Sequence, residues 1–138
     1  MKKDSKTLHI LVVDDEPLIR EVLCRFLDKN SSVMTVGSAE EALEEIRTQH
    51  YDLCFLDVIL PGMNGVEAMK IIKELSPSTK VAIMSGGYLC EDMKRQIAEG
   101  ALEFIEKPFD LSRIREIVNR VGVALIGKSN YEEIPVLN

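Results

Sequence analysis

One alternation constrains this chain more than any other feature. Five short apolar runs, each too brief for a helix, are separated by stretches with the three-to-four-residue spacing of amphipathic helices. Residues 9–13 read as a strand bounded by Asp14 and Asp15. Pro17 fits the first turn of a helix, and Leu18, Val22, Leu23 and Phe26 give that helix an apolar stripe. Residues 33–36 form a second strand. Ser38 and Glu41 have the spacing of a capping box ahead of a helix lined by Ala39, Ala42, Leu43 and Ile46. In residues 51–57, Leu53, Cys54, Phe55 and Leu56 follow without a break, as in a central strand covered on both faces. Val66, Met69, Ile72 and Leu75 mark a third helix, which Pro77 stops. Residues 80–84 are a fourth strand, 91–99 a fourth helix and 102–106 a fifth strand. Leu111, Ile114, Ile117, Val118 and Val121 line a fifth helix with Asp110 as its N-cap. This order predicts an α/β domain built on a parallel sheet. The pattern lapses from Gly127, and residues 123–138 are expected to be a C-terminal tail or the start of a linker.

The length of 138 residues suits one domain. Acidic residues outnumber basic ones 23 to 17, for a net charge of -6, with no basic stripe. Direct binding to nucleic acid is therefore not expected. No run is long enough to span a membrane, and the N-terminus has no apolar stretch of a signal peptide. Cys24, Cys54 and Cys90 make neither a CxxC pair nor a zinc pattern; Cys24 and Cys54 read as small core residues. A reducing, cytoplasmic location is the expectation.

In an open parallel sheet, chemistry collects at the carboxyl ends of the strands. Those ends carry Asp14-Asp15-Glu16, Asp57, Ser85 and Lys107-Pro108. Each has an ordinary explanation singly: a cap, a strand terminator, a turn residue, a surface lysine. Four such groups on one rim are harder to dismiss. Crowded carboxylates repel one another, and a divalent cation relieves this; hard oxygen ligands favour magnesium. A carboxylate beside that metal is a nucleophile for phosphorus, and a lysine and a hydroxyl can stabilise the phosphoryl oxygens.

With these residues in place, the chain resembles the receiver domain of two-component response regulators over residues 8–122. The acid pair Asp14-Asp15 follows the first strand. The run Asp57-Val58-Ile59-Leu60-Pro61-Gly62-Met63-Asn64-Gly65 matches the family's phosphorylation loop. Ser85 stands at the Ser/Thr position, Gly100-Ala101 precedes the fifth strand and Lys107-Pro108 follows it. The resemblance implies a flavodoxin-like fold: a five-stranded parallel sheet in the order 2-1-3-4-5 with five helices. It implies that Asp57 is the phosphoacceptor, and that Asp15, Asp57 and the Ile59 carbonyl ligate Mg2+ directly, with Asp14 acting through water. It further implies that Lys107 pairs with the phosphoryl group and that Ser85 moves to bond it. Phe104 then occupies the switch aromatic position. Phosphorylation is expected to change a surface of helix four, strand five and helix five. The implied donor is a phosphohistidine on a sensor histidine kinase or phosphotransfer protein. The implied target is a downstream protein or an output domain outside this chain.

Such a chain promotes its own phosphorylation and dephosphorylation and is not a turnover enzyme in the usual sense. Phe104 lacks the hydroxyl of the tyrosine common at its position, and plain core packing is its simpler reading. A dehalogenase-type phosphatase needs an aspartate two residues after the nucleophile, where Ile59 stands. A nucleotide or flavin module needs glycines or hydroxyls after strand one, where Asp14, Asp15 and Glu16 would repel a phosphate. The alternative kept open is a phosphorylation-independent receiver-like adaptor acting only by protein binding.

Overall fold

The computed structural model describes residues 7–136. Strands and helices alternate without exception: β1 (Leu8–Val13), α1 (Pro17–Leu27), β2 (Ser31–Val36), α2 (Ala39–Thr48), β3 (Leu53–Asp57), α3 (Gly65–Leu75), β4 (Lys80–Ser85), α4 (Glu91–Gly100), β5 (Glu103–Glu106) and α5 (Leu111–Ile126). The five strands form one parallel sheet in the order β2-β1-β3-β4-β5. The flavodoxin-like fold that the resemblance implied is the observed one.

Successive side chains of a strand point to opposite faces, and the core divides accordingly. Leu11, Val13, Cys54, Leu56, Val81 and Ile83 meet α2, α3 and α4. Ile10, Val12, Leu53, Phe55, Ala82 and Met84 meet α1 and α5. All five residues of β3 are buried, which explains its unbroken apolar run.

The helices start where local chemistry dictates. Pro17 opens α1, where its missing N–H is no loss. Asp110 caps α5 by accepting from the Ser112 N–H at 3.1 Å. Ser38 caps α2 by accepting from the Glu41 N–H, but the Glu41 carboxylate takes the Gly37 N–H at 2.9 Å instead of the N-cap amide. The complete capping box lies at α3, between Asn64 and Glu67. It holds the helix against the end of β3, where any Cβ on Gly65 would lie 2.2 Å from the Asp57 carbonyl oxygen.

The apolar stripe of α1 is wider than the face it buries. Leu23 and Leu27, one turn apart, are buried, whereas Val22 and Leu18 sit about 100° and about 140° round the helix from Leu23 and stay exposed. Leu75 at the end of α3 is exposed for the same reason of position. Cys54 is buried, Cys24 only partly and Cys90 exposed. The edge strand β5 is short and charged, which discourages pairing with another chain. Its Glu103 is held by Arg113 at 2.6 Å and by Arg120, both on α5. Among the described residues, no helix is long and apolar enough to cross a membrane.

Candidate functional site

Because β1 and β3 are neighbours, their carboxyl ends lie side by side. Asp14 follows β1 and Asp57 closes β3; both are buried, at 0% and 4% exposure. Asp14 continues the ladder to β2 through its N–H to the Val36 carbonyl. The guanidinium of Arg20 donates to its backbone oxygen at 2.7 Å. Asp14 Oδ1 accepts from the Glu16 N–H, which leaves Oδ2 facing Lys107. Asp15 stays exposed. Carboxylate oxygens of Asp14, Asp15 and Asp57 nevertheless lie within 4.8 Å of one another.

Lys107 reaches this group from the far edge of the sheet. Its N–H continues the ladder to the Ser85 carbonyl, and its peptide bond to Pro108 is cis. Its Nζ lies 2.6 Å from Asp14 Oδ2, 3.3 Å from Asp57 Oδ2 and 3.4 Å from Glu16 Oε1. The side chain is itself largely enclosed. Burial alone would lower its pKa. The hydrogen bond that Lys107 donates to Asp14 and the charges of Asp57 and Asp14 outweigh that, and the pKa is raised.

Asp57 is pushed up to about 6. Burial contributes most and the charge of Asp14 adds to it; Lys107 and the Ile59 N–H pull the other way without winning. The site is therefore short of positive charge: one lysine faces several carboxylates. Hard oxygen donors clustered in this way fit Mg2+. They do not fit a soft metal, since among the described residues no thiol or imidazole joins the cluster.

Ser85 closes β4, buried, with its Oγ accepting from the Gly87 N–H at 3.3 Å. Beside it opens a cavity of about 500 Å³ between the β4–α4 loop, α4 and β5, lined among others by Leu89, Ile97, Phe104 and Lys107. Phe104 is 39% exposed at that cavity, so it is not an ordinary core residue. Ile59 is largely exposed, its N–H donating to Asp57 Oδ1 at 3.4 Å. Asp14, Asp15, Asp57, Ile59, Ser85 and Lys107 thus gather at one rim, while Phe104 lies within β5 at the adjoining cavity. Glu16, noted at the end of the first strand but given no role, joins the rim through Lys107, and Arg20, which was missed, joins it through the Asp14 backbone oxygen. Nothing in the spacing of Arg20 marks it in the sequence.

Many chemistries use a doubly wound parallel sheet, and sequence comparison separates them. The response regulator receiver domain profile matches residues 10–119, and the chain belongs to that family. Receiver domains are phosphorylation-dependent signalling modules, and this chain is one of them. It is 40% identical over 131 residues to the nitrogen assimilation regulatory protein NtrX of Azorhizobium caulinodans, covering 93% of this chain and 29% of that protein. Among solved structures it resembles a CheY-like receiver domain protein of Methanospirillum hungatei, with TM-score 0.76 and 26% identity over 84% of this chain and 97% of that one. It also resembles response regulator TrrA of Thermotoga maritima, solved in complex with Mg(2+)-BeF, with TM-score 0.72 and 30% identity over 83% and 99%. The chain spans less than two thirds of the length of the curated relatives it matches: 40%, 29% and 56% of three of them.

Proposed function

We propose that the chain takes a phosphoryl group onto Asp57 and thereby changes the surface it offers a partner. The observation that carries this reading is the placement of a buried Asp57 carboxylate 3.3 Å from Lys107 Nζ and beside two further carboxylates. The donor is a phosphohistidine of a sensor histidine kinase or phosphotransfer protein. An Asp57 carboxylate oxygen forms the new bond to phosphorus as the phosphorus–nitrogen bond breaks, and the electron pair leaves with the imidazole. Asp14, Asp15, Asp57 and the Ile59 carbonyl are the groups that would hold Mg2+, Asp14 through water. Bound there, Mg2+ supplies charge stabilisation to the phosphoryl oxygens.

The protein's own groups do the rest. Lys107, anchored by Asp14, is held where it can neutralise a phosphoryl oxygen without reorganising. Ser85 turns its hydroxyl from the Gly87 amide to donate to another. Phe104 turns into the cavity beside Ser85, whose volume accommodates a ring. These movements alter the face of α4, β5 and α5, where a downstream protein or an output domain is controlled. A full reversal of a two-state population needs a differential of about 5.5 kcal/mol.

The test is intact-mass spectrometry after incubation with a small phosphodonor, with and without Mg2+, beside Asp57→Asn. The expected result is a Mg2+-dependent gain of one phosphoryl group that the variant loses. No gain under any condition would sink the proposal and favour the adaptor reading.

A further inference from the structure

At the end of α5 remote from Lys107, residues without regular structure fold back onto the helix they have just left. Gly127, at φ 102°, turns the chain in a conformation that disfavours any residue with a Cβ. Tyr131 and Ile134 are then buried at 7% and 5% exposure, with Glu132 and Glu133 exposed between them. Both join the apolar cluster that α1 and α5 form with the sheet.

Two residues of α5 receive them. Buried Asn119 donates from Nδ2 to the Ile134 carbonyl at 3.0 Å. Its Oδ1 accepts from the Ile134 N–H at 2.8 Å and from the Tyr131 hydroxyl at 3.2 Å. The amide thus reads the backbone of one residue in both directions, as a neighbouring strand would. Gly122 lies three residues on, on the same flank. A Cβ there would sit 2.3 Å from ring atoms of Tyr131. Asparagine and glycine are both poor formers of a helix interior. Their places in α5 are explained by what lies over them.

We infer that the Asn119–Gly122 flank of α5 is a docking groove for an extended segment bearing an aromatic residue followed three positions later by an aliphatic one. Residues 127–134 are its ligand in cis. The folded unit then runs to Ile134, past the expected boundary at residue 122 and past the last helical turn. Whatever is joined beyond Ile134 departs from beside Asn119, midway along α5. Undocking would add roughly 25 Å of extended chain to its reach. This inference goes beyond the phosphorylation reading and does not rest on it.

A double-mutant cycle on the full chain tests it, with Gly122→Ala made in the wild type and in Tyr131→Ala. Alanine improves helix propensity but collides with the ring. Gly122→Ala should therefore lower the melting temperature of the wild type and raise it in the Tyr131→Ala background. Hydrogen exchange supplies a second readout. The Ile134 amide should be protected at least about 100-fold in the wild type, and nearly unprotected in Asn119→Ala, while the Ile83 amide of β4 stays protected in both. A Gly122→Ala shift of the same sign in both backgrounds would overturn the inference. So would an Ile134 amide that exchanges at free-peptide rate in the wild type.

Discussion

Two buried polar clusters sit at opposite reaches of this small domain, and they are built on opposite terms. Around Asn119 the amide nitrogen and the amide oxygen both have partners in the chain, and the oxygen has two. Around Asp57 the carboxylates outnumber the one cation that faces them, and Asp57 itself is pushed up to about 6. A neutral, hydrogen-bonded cluster fastens one segment to another and carries no charge to be met. An undersupplied one stores an unmet demand for positive charge, which is what a site for Mg2+ and a phosphoryl group requires. Both use buried polarity, but only the second has charge left uncompensated.

The contrast is broken most severely at Lys107. Lys107→Ala leaves Asp14 and Asp57 buried without their cation, an expected loss of about 3 kcal/mol in Mg2+-free buffer. Phosphoryl uptake should fall by about 100-fold. Urea unfolding and timed intact-mass measurements check the two effects; an unchanged midpoint would mean that the acids are better hydrated than their burial implies. Asn119→Ala strips partners from the Ile134 backbone and should cost about 1–3 kcal/mol. Added Mg2+ should not restore it, whereas Mg2+ should recover part of the Lys107→Ala loss.

Asp57→Asn sharpens the comparison by running the other way. Removing a buried negative charge beside Asp14 should stabilise the metal-free protein by about 1–2 kcal/mol. The same urea experiment detects it, and a destabilised variant would show that the cluster is balanced without metal. The smallest effect is expected at Glu103, a charge pair of ordinary structural kind. Burial by itself raises its pKa, but Arg113 and Arg120 outweigh burial and hold it below the usual carboxylate range. The folded value thus lies below the unfolded one. The ion pairs stabilise above roughly pH 4.3, and their contribution is lost as pH falls through the folded value. Glu103→Gln should cost no more than about 1 kcal/mol at pH 7, and the gap should close on acidification in thermal melts.

Much of this was legible in the sequence because it is local. A strand apolar on both faces announces its place in the sheet, and Asp57 follows it directly. Asp14 and Lys107 each adjoin a strand end, so topology alone delivers them to the rim. The details that escaped depend on partners remote in the chain. Leu18 and Val22 share the apolar character of Leu23, and only packing decides which of them is covered. Glu41 had two amides in reach and took that of Gly37. Tyr131 and Ile134 are buried with no helical or strand period around them, because an extended strap needs only two anchors. Asn119, their receptor, follows the apolar pair Ile117-Val118 with nothing in its spacing to mark it. Arg20 acts on a backbone oxygen, a contact that leaves no trace in side-chain pattern.

The ion pair between Lys107 and Asp14 joins residues 93 positions apart. During synthesis the acids emerge early and their lysine late. A nascent or truncated chain that stops short of β5 carries the full set of aspartates with no lysine to face them. On the proposed function, full competence to accept a phosphoryl group would arrive when the last strand is added at the sheet's edge. A signal relayed through such a site would certify, in the same act, that the chain which relays it has been made and folded past residue 107.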